Sequence, residues 1–571
     1  MSVQKIQTEV RKFALQNAVL FNGKANEKAV TGKVIAALKK DGVTPAEILP
    51  VVSQVVAQIN SMSAADQRAE LATLAPELLK KEKKEKDFSL PPLPLAEKGN
   101  VITRFPPEPN GYLHIGHAKA AIIDYEYARL YDGTFILRFD DTNPENALLE
   151  FYDAQIQDLR WLGIEWDLEY HTSDHLQTHY KLAEQLIRQK DAYICNCTPE
   201  AIKDGRFHAK SCACRNENTG SVGLDLWKQM LASPEINYIV RLRGEMDSDN
   251  TAMRDPTLFR VITATHPLTS DNYHVWPTYD FAGAVEDSIS GVTHPFRTKE
   301  YELRDPVYFH ILNLLQLRTP HLMEFSRLSI EGMPVSKRKI KPLIEQGLVS
   351  GFDDVRLPTL RGLKRRGLVP EAIKQFVFQQ GFSKVESVVD FSLVESVNRK
   401  FLDPRVKRYY FVPDPVRLVV ADAPKKTVKL PLHPDAAMGN RTLHTASIFY
   451  IPRQDMQKMK VGDVFRLKGL YNVKITNIDE TIQGSYAGEE IIQESAKIQW
   501  TTDETMPLKI LVPGLLFKGE TFNPESLREM QGYAEKAVAR LPAGEIIQFE
   551  RVGFVRLEKQ NNDTVAIFTH K

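Results

Sequence analysis

Two histidines stand three residues apart in the segment Arg104 to Lys119, RFPPEPNGYLHIGHAK. The strand-like run VITRF leads into it and helix-like sequence from about Ala118 follows, so Pro107, Glu108, Pro109, Asn110 and Gly111 form a tight turn opening onto a helix N-terminus. Such a junction favours a phosphate, because first-turn N–H groups and the helix dipole point at it. His114 and His117 add two donors for phosphate oxygens, and Gly116 leaves room for a planar base to approach closely. Taken alone, two histidines beside a glycine are more often packed or surface residues. Ser336, Lys337 and Arg338 in MPVSKRK bring a hydroxyl and cations that, in isolation, read as a solvated basic face. Asp140 and Asp141 end a second strand-like run, TFILRF, at what would be the ligand-bearing carboxyl edge of a parallel sheet; capping of the following helix is the competing reading for either one. Cys195, Cys197, Cys212 and Cys214 account for all 4 cysteines, and four thiolates are the ligand set of a closed tetrahedral zinc site, with reduced bystander thiols as the alternative.

These residues need elements to hold them. The first 80 residues carry helical spacing in Ile6, Val10, Phe13 and Ala14 and again in Ile48, Val52, Val55 and Ile59, with Thr44, Pro45 and Glu47 as a capping box. A lysine-rich tether, KKEKKEK, and the proline-rich LPPLPL close this region near residue 97. Short β runs then alternate with helices, one of them presenting Leu149, Tyr152, Ile156 and Leu159 on one face, which argues for a parallel sheet with crossover helices. The cysteine-bearing stretch interrupts that alternation as an insertion. Helical spacing returns from Gly347 to Tyr410, and NVKITNI, AKIQW, LKILV, EIIQF and TVAIF mark an all-β C-terminal third, in one or two barrels. The expected domains are 1–97, 98–190, 191–272, 273–345, 346–410 and 411–571.

A chain of 571 residues is too long for one core and is expected to divide into about three to five domains. Its 43% apolar and 26% charged residues describe a globular protein, and four clustered cysteines exclude a disulfide scaffold. No run approaches the roughly 18 apolar residues of a membrane span and MSVQKIQTEVRK lacks a signal-peptide core, so a cytoplasmic protein without membrane contact is expected. A net charge of +1 gives no bulk attraction to nucleic acid, so any RNA must be held by local patches. Val335 to Gly367 offers one, with nine Lys/Arg against three acids, although Lys364, Arg365 and Arg366 fit a solvated helix face equally well.

LHIGH after RFPPEPNGY resembles the HIGH motif of class I aminoacyl-tRNA synthetases, in the glutamyl and glutaminyl branch. MPVSKRK is similar to the branch's KMSKS loop, with Pro334 and Val335 in place of Lys and Met and Arg338 in place of the last Ser. RFDDTNP, YDFAGAVEDSISGVTH, FDDVRLPTLRGLKRRG and the late GEIIQFERVGFVRLE also resemble the branch, and FALQNAV with KAVTGKV resembles the N-terminal extension of its archaeal glutamyl members. The resemblance implies a Rossmann-like catalytic domain split by an acceptor-stem insertion, an N-terminal helical domain, and anticodon-binding β-barrels. It implies His114, His117 and Lys337 as catalytic residues, and Pro107 to Gly111, Gly116, Ser336, Lys337 and Arg338 around ATP with Mg2+. Asp140 would receive the substrate's α-ammonium, Arg104 and Tyr279 would line its side-chain pocket, and Arg297 would meet a γ-carboxylate. Zinc on the four cysteines would hold the insertion.

The implied reaction joins L-glutamate to tRNA(Glu) in a monomeric enzyme, with tRNA(Gln) open as a second acceptor. A glutaminyl enzyme shares nearly every motif, and a tRNA-binding relative without catalysis is the alternative of another class. For Arg297 the competing reading is an outward side chain facing tRNA phosphate or solvent. The chemistry fits the residue types: a carboxylate attacking the α-phosphate of ATP needs no general base, but it needs donors and cations for the charge that builds on phosphoryl oxygens.

Overall fold

In a computed structural model the chain divides into two compact units, Met1–Asp87 and Phe88–Lys571. The structure describes residues 3–21, 23–38, 45–78, 90–560 and 563–571; the Thr44 cap and the lysine-rich tether lie outside them. The first unit contains the helices Val3–Leu20, Glu27–Leu38, Pro45–Asn60 and Ala64–Leu74. Their apolar stripes meet in one core, where Ile6, Val10, Ala14, Ile48, Val52, Val55 and Ile59 are buried and Phe13 packs at the edge.

In the second unit the strands Ile102–Phe105, Thr134–Phe139 and Leu168–His171 form a parallel sheet. The helices Ile115–Leu130 and Leu149–Trp161 make the two crossovers. The first two strands are largely covered, so their charged residues are informative: Arg104 and Arg138 sit fully buried among mostly apolar neighbours. Farther on, Phe296–Thr298 pairs parallel with Met323–Phe325, and Leu328–Ile330 with Ser387–Val389. The backbone N–H groups of Thr293 and His294 both donate to Ile102 O, which brings the second half of the domain against the first strand.

The insertion is an antiparallel sheet of Ala192–Cys195, Ile239–Leu242, Thr257–Val261 and Val275–Pro277. It therefore runs past the expected limit at residue 272, because Val275–Pro277 pairs with Thr257–Val261. Its core is shared: Ile194, Trp227, Val240 and Phe259 pack in one cluster with Phe281, Val285, Val307, Tyr308 and Ile311 of the helices Tyr279–Ile289 and Asp305–Leu314. At roughly 1.5–3 kcal/mol for each large apolar side chain buried, this seam fixes the insertion against the helix that carries Tyr279.

The C-terminal third forms two seven-stranded sheets. The chain enters one with Arg408–Tyr409 and Phe411–Pro413, builds the other from Pro415–Ala421 to Thr501–Thr502, and returns to the first at Thr505–Pro513. Among the described residues no helix is long and apolar enough to cross a membrane.

Candidate active site

The helix expected from about Ala118 starts at Ile115, because His114 caps it. His114 Nδ1 accepts from the N–H groups of Gly116 (3.0 Å) and His117 (3.4 Å), while His117 Nδ1 accepts from His114 N–H at 3.3 Å. A ring nitrogen that accepts carries no proton, so in each neutral imidazole the proton is on Nε2. The rings stack at 3.7 Å. Burial, then the neighbouring imidazole and the Arg327 cation, push His114 well below its ordinary value, and burial with Arg327 lowers His117 to about 4. At neutral pH the pair consists of two uncharged rings, each with an Nε2–H donor.

This corrects the expectation that backbone donors await a phosphate. The first-turn N–H groups are already used: Ile115 donates to Pro358 O at 2.9 Å, Gly116 and His117 to the His114 ring, and Ala118 to His114 O. The imidazoles, not the amides, are the donors left to a ligand. Gly116 acquires a second reason as well, since a Cβ there would lie 2.9 Å from Cε1 and 3.0 Å from Nδ1 of His114.

The preceding turn is held from below. Buried Gln155 donates to the carbonyls of Glu108 (3.0 Å) and Gly111 (2.9 Å), Pro107 O accepts from Asp140 N–H, and Pro109 O from Leu148 N–H. The basic loop joins this site through both flanks. Upstream, Leu328 O faces Gly116 at the start of Leu328–Ile330; downstream, Leu360 N–H donates to Leu113 O at 2.8 Å. Ser336 is the N-cap residue of the helix Lys337–Glu345 and its side chain makes no capping bond, while Arg338 is exposed.

The four residues expected around an amino acid converge. Burial raises the Tyr279 phenol, which also feels the charges of Arg297, Arg104 and Asp140. Asp140 is bound by Arg138 Nε (2.9 Å) and by the Thr172 hydroxyl (2.9 Å), and burial raises it against that attraction. Arg297 is 6% exposed, which rules out the outward orientation. Its guanidinium lies 4.2 Å from the Tyr308 ring centre and 5.8 Å from that of Tyr279, with Nη1 3.3 Å from Asp305 and a buried Nε that has no partner. Arg104 is committed to Asp287, through Nε at 2.9 Å and Nη2 at 3.2 Å, and to Phe296 O at 2.8 Å.

Neither aspartate caps the following helix, whose N-cap is Leu148. Asp141 is instead a buried hub that accepts from Tyr152, Ser173 N–H and the Ser173 hydroxyl. The basic patch is also partly consumed. Arg356 is paired with Asp354, Arg365 with Glu558, and Arg366 is buried against Glu395, so of the Lys364–Arg366 run only Lys364 is exposed. The sequence reading missed Gln155, Arg327, Asp287 and Tyr308. Asp287 left a signal, since with Glu286 it makes a carboxylate pair inside the largely apolar run FAGAVEDSI.

The four Sγ atoms lie within 4.8 Å of one another, with Cys195–Cys212 at 3.9 Å and Cys197–Cys214 at 3.8 Å. Tetrahedral zinc with bonds of about 2.3 Å requires S···S near 3.8 Å, so the cluster fits that ion. Arg241 Nη1, 3.8 Å from Cys212 Sγ, would offset part of the charge of four thiolates.

The histidine pair thus stands at a strand–turn–helix junction on a parallel sheet. The family model "tRNA synthetases class I (E and Q), catalytic domain" matches residues 100–404, and the anti-codon binding domains of the same family match 406–490 and 497–558, so the chain belongs to that family. It is 43% identical over 570 residues to the glutamate–tRNA ligase of Nitrosopumilus maritimus (strain SCM1), covering 100% of both chains. The glutamate–tRNA ligase of Pyrococcus furiosus is 40% identical over 588 residues, again with 100% of both covered. A crystal structure of a glutamate tRNA ligase from Elizabethkingia meningosepticum aligns with 53% of this chain and 70% of its own at 21% identity and a TM-score of 0.40.

Proposed function

We propose that this chain attaches L-glutamate to the 3′ end of tRNA(Glu) through a glutamyl-adenylate, as a glutamate–tRNA ligase. The observation that carries the choice of amino acid is Arg297, a buried guanidinium with a free Nε beside Tyr279, Tyr308 and Arg104. A γ-carboxylate answers the free Nε of that cation, whereas the carboxamide of glutamine brings no second charge to a guanidinium whose carboxylate neighbour, Asp305, lies 3.3 Å from Nη1. The glutaminyl alternative therefore meets a physical objection, and full-length similarity to glutamate–tRNA ligases points the same way.

In the first step an α-carboxylate oxygen bonds to the α-phosphorus of ATP while the bond to pyrophosphate breaks. Asp140 holds the α-ammonium and Arg297 the γ-carboxylate. His114 and His117 donate from Nε2 to phosphoryl oxygens, each such donor contributing about 3–4 kcal/mol in a water-poor site. Neutral donors give up no proton, so the pair stabilises charge without acting as acid or base. Lys337, with Ser336 and Arg338, serves the departing pyrophosphate, and the turn Pro107–Gly111 with Gly116 seats the nucleotide. In the second step a hydroxyl of the terminal ribose takes the acyl group and AMP leaves.

Mg2+ enters with the phosphates of ATP. Zinc on Cys195, Cys197, Cys212 and Cys214 braces the insertion that meets the acceptor stem. The protein acts as a cytoplasmic monomer. The test is aminoacylation with glutamate and glutamine in parallel on tRNA(Glu) and tRNA(Gln): glutamate on tRNA(Glu) is expected, and the second tRNA decides the breadth of the acceptor.

A further inference from the structure

Asp287 touches neither the turn nor the basic loop, yet it is completely buried and holds three groups at once. Arg104 reaches it with two nitrogens, Arg138 Nη1 lies 2.8 Å from its Oδ1, and the Tyr308 hydroxyl donates to Oδ2 at 3.1 Å. Burial alone would raise this carboxyl, but the guanidiniums of Arg104 and then Arg138 outweigh it and hold it down to about 2, so it stays ionised.

Each of the three groups continues to the amino-acid pocket. Arg104 donates to Phe296 O and so fixes the strand Phe296–Thr298 at the residue before Arg297. Tyr308 places its ring 4.2 Å from the Arg297 guanidinium. Arg138 uses Nη1 for Asp287 and Nε for Asp140. One carboxylate thus connects the group assigned to the γ-carboxylate with the group assigned to the α-ammonium.

We propose that Asp287 is a positioning residue that sets the distance between the α-ammonium and γ-carboxylate ends of the pocket, and thereby selects a dicarboxylic amino acid of glutamate's length. This rests on the glutamate reading above. A network centred on a buried carboxylate that accepts from Arg104, Arg138 and Tyr308 is stiff, and a shift of about 1 Å in such a frame can cost about 100-fold in reaction. Aspartate is one methylene shorter and cannot span two ends held apart by this frame.

The experiment measures tRNA(Glu) charging by full-length wild type, Asp287→Asn and Tyr308→Phe, with KM for glutamate and for ATP separately and with aspartate as a competing substrate. Folding is checked by thermal unfolding. Asp287→Asn is expected to raise the glutamate KM by about tenfold or more with the ATP KM within about twofold, and to narrow the preference for glutamate over aspartate. Tyr308→Phe removes one donor to Asp287 and keeps the ring, so it should shift the same constant the same way by a smaller factor.

A folded Asp287→Asn with the wild-type glutamate KM, or with both KM values moving together, overturns the proposal. If Asp287→Asn does not fold, Tyr308→Phe decides: a raised glutamate KM alone supports the proposal and an unchanged one overturns it. Wild type that fails to charge glutamate would refute the underlying reading, whereas normal wild-type charging with unmoved variants refutes the positioning role alone.

Discussion

The histidine pair proposed for the phosphates is built from sequence neighbours, whereas the pocket proposed for the amino acid is built across the chain. His114, Gly116 and His117 bond to one another within four residues. Arg104 and Asp287 are 183 residues apart, and Arg138 and Asp287 are 149 apart. A local device such as a capped helix is specified by its own residue types and needs little support. A distributed device works only when several elements are already packed, which is why the insertion and the helix Tyr279–Ile289 share a core. The two ends should therefore fail differently, the first in rate and the second in substrate affinity.

The largest effect expected is at the phosphate end. His117→Ala removes one Nε2–H donor to the transition state and should lower kcat by about 100-fold or more, with the glutamate KM little changed. Steady-state charging kinetics check this, and a mutant that keeps most of its rate removes His117 from the chemistry. At the other end, Arg297→Cys should raise the glutamate KM by about 100-fold and leave the ATP KM nearly unchanged, because the lost cation lies in the pocket proposed for the amino acid. Equal shifts in both constants would erase the contrast between the ends.

That contrast also decides what the sequence could show. LHIGH is contiguous, so its place between a strand and a helix was readable, and so was the gathering of the four cysteines, which lie within 20 residues. The apolar stripes of the first unit were readable because burial follows helical period. The start of the helix at Ile115 was not, since histidine is not among the usual capping residues. Nor were the roles of the basic residues: Arg366 and Lys364 look alike in sequence, and only packing sends one into Glu395 and leaves the other in solvent. Asp287 falls between these cases. It stands beside Glu286 in a largely apolar helix, and its partners lie on the first and second strands and on the helix Asp305–Leu314.

A smaller effect is expected from pH. The folded His117 has a depressed pKa of about 4 against about 6.5 when unfolded, so between these values the unfolded chain binds the extra proton. This contribution to stability is complete above about pH 6.5 and is lost as pH falls toward 4. Urea unfolding of wild type and His117→Asn should show a shallower loss on acidification in the variant, and parallel curves would contradict the assignment. The neutral pair also predicts that 15N chemical shifts at pH 7 report the Nε2–H tautomer for both rings.

The smallest expected effect on chemistry is at the cysteines, which lie in the insertion. Protein purified without chelator should carry one zinc per chain, and joint Cys212→Ser and Cys214→Ser substitution should abolish it and lower the unfolding temperature. Metal analysis showing no zinc in the wild type would reject the site.

The account stands most directly on which amino acid the buried guanidinium of Arg297 accepts. Charging of tRNA(Glu) by the unmodified chain with radiolabelled glutamate or glutamine, at equal concentrations and with ATP saturating, measures that choice. The account predicts a preference for glutamate of about 100-fold or more, reduced in Arg297→Cys. Efficient charging with glutamine by the unmodified protein would contradict it.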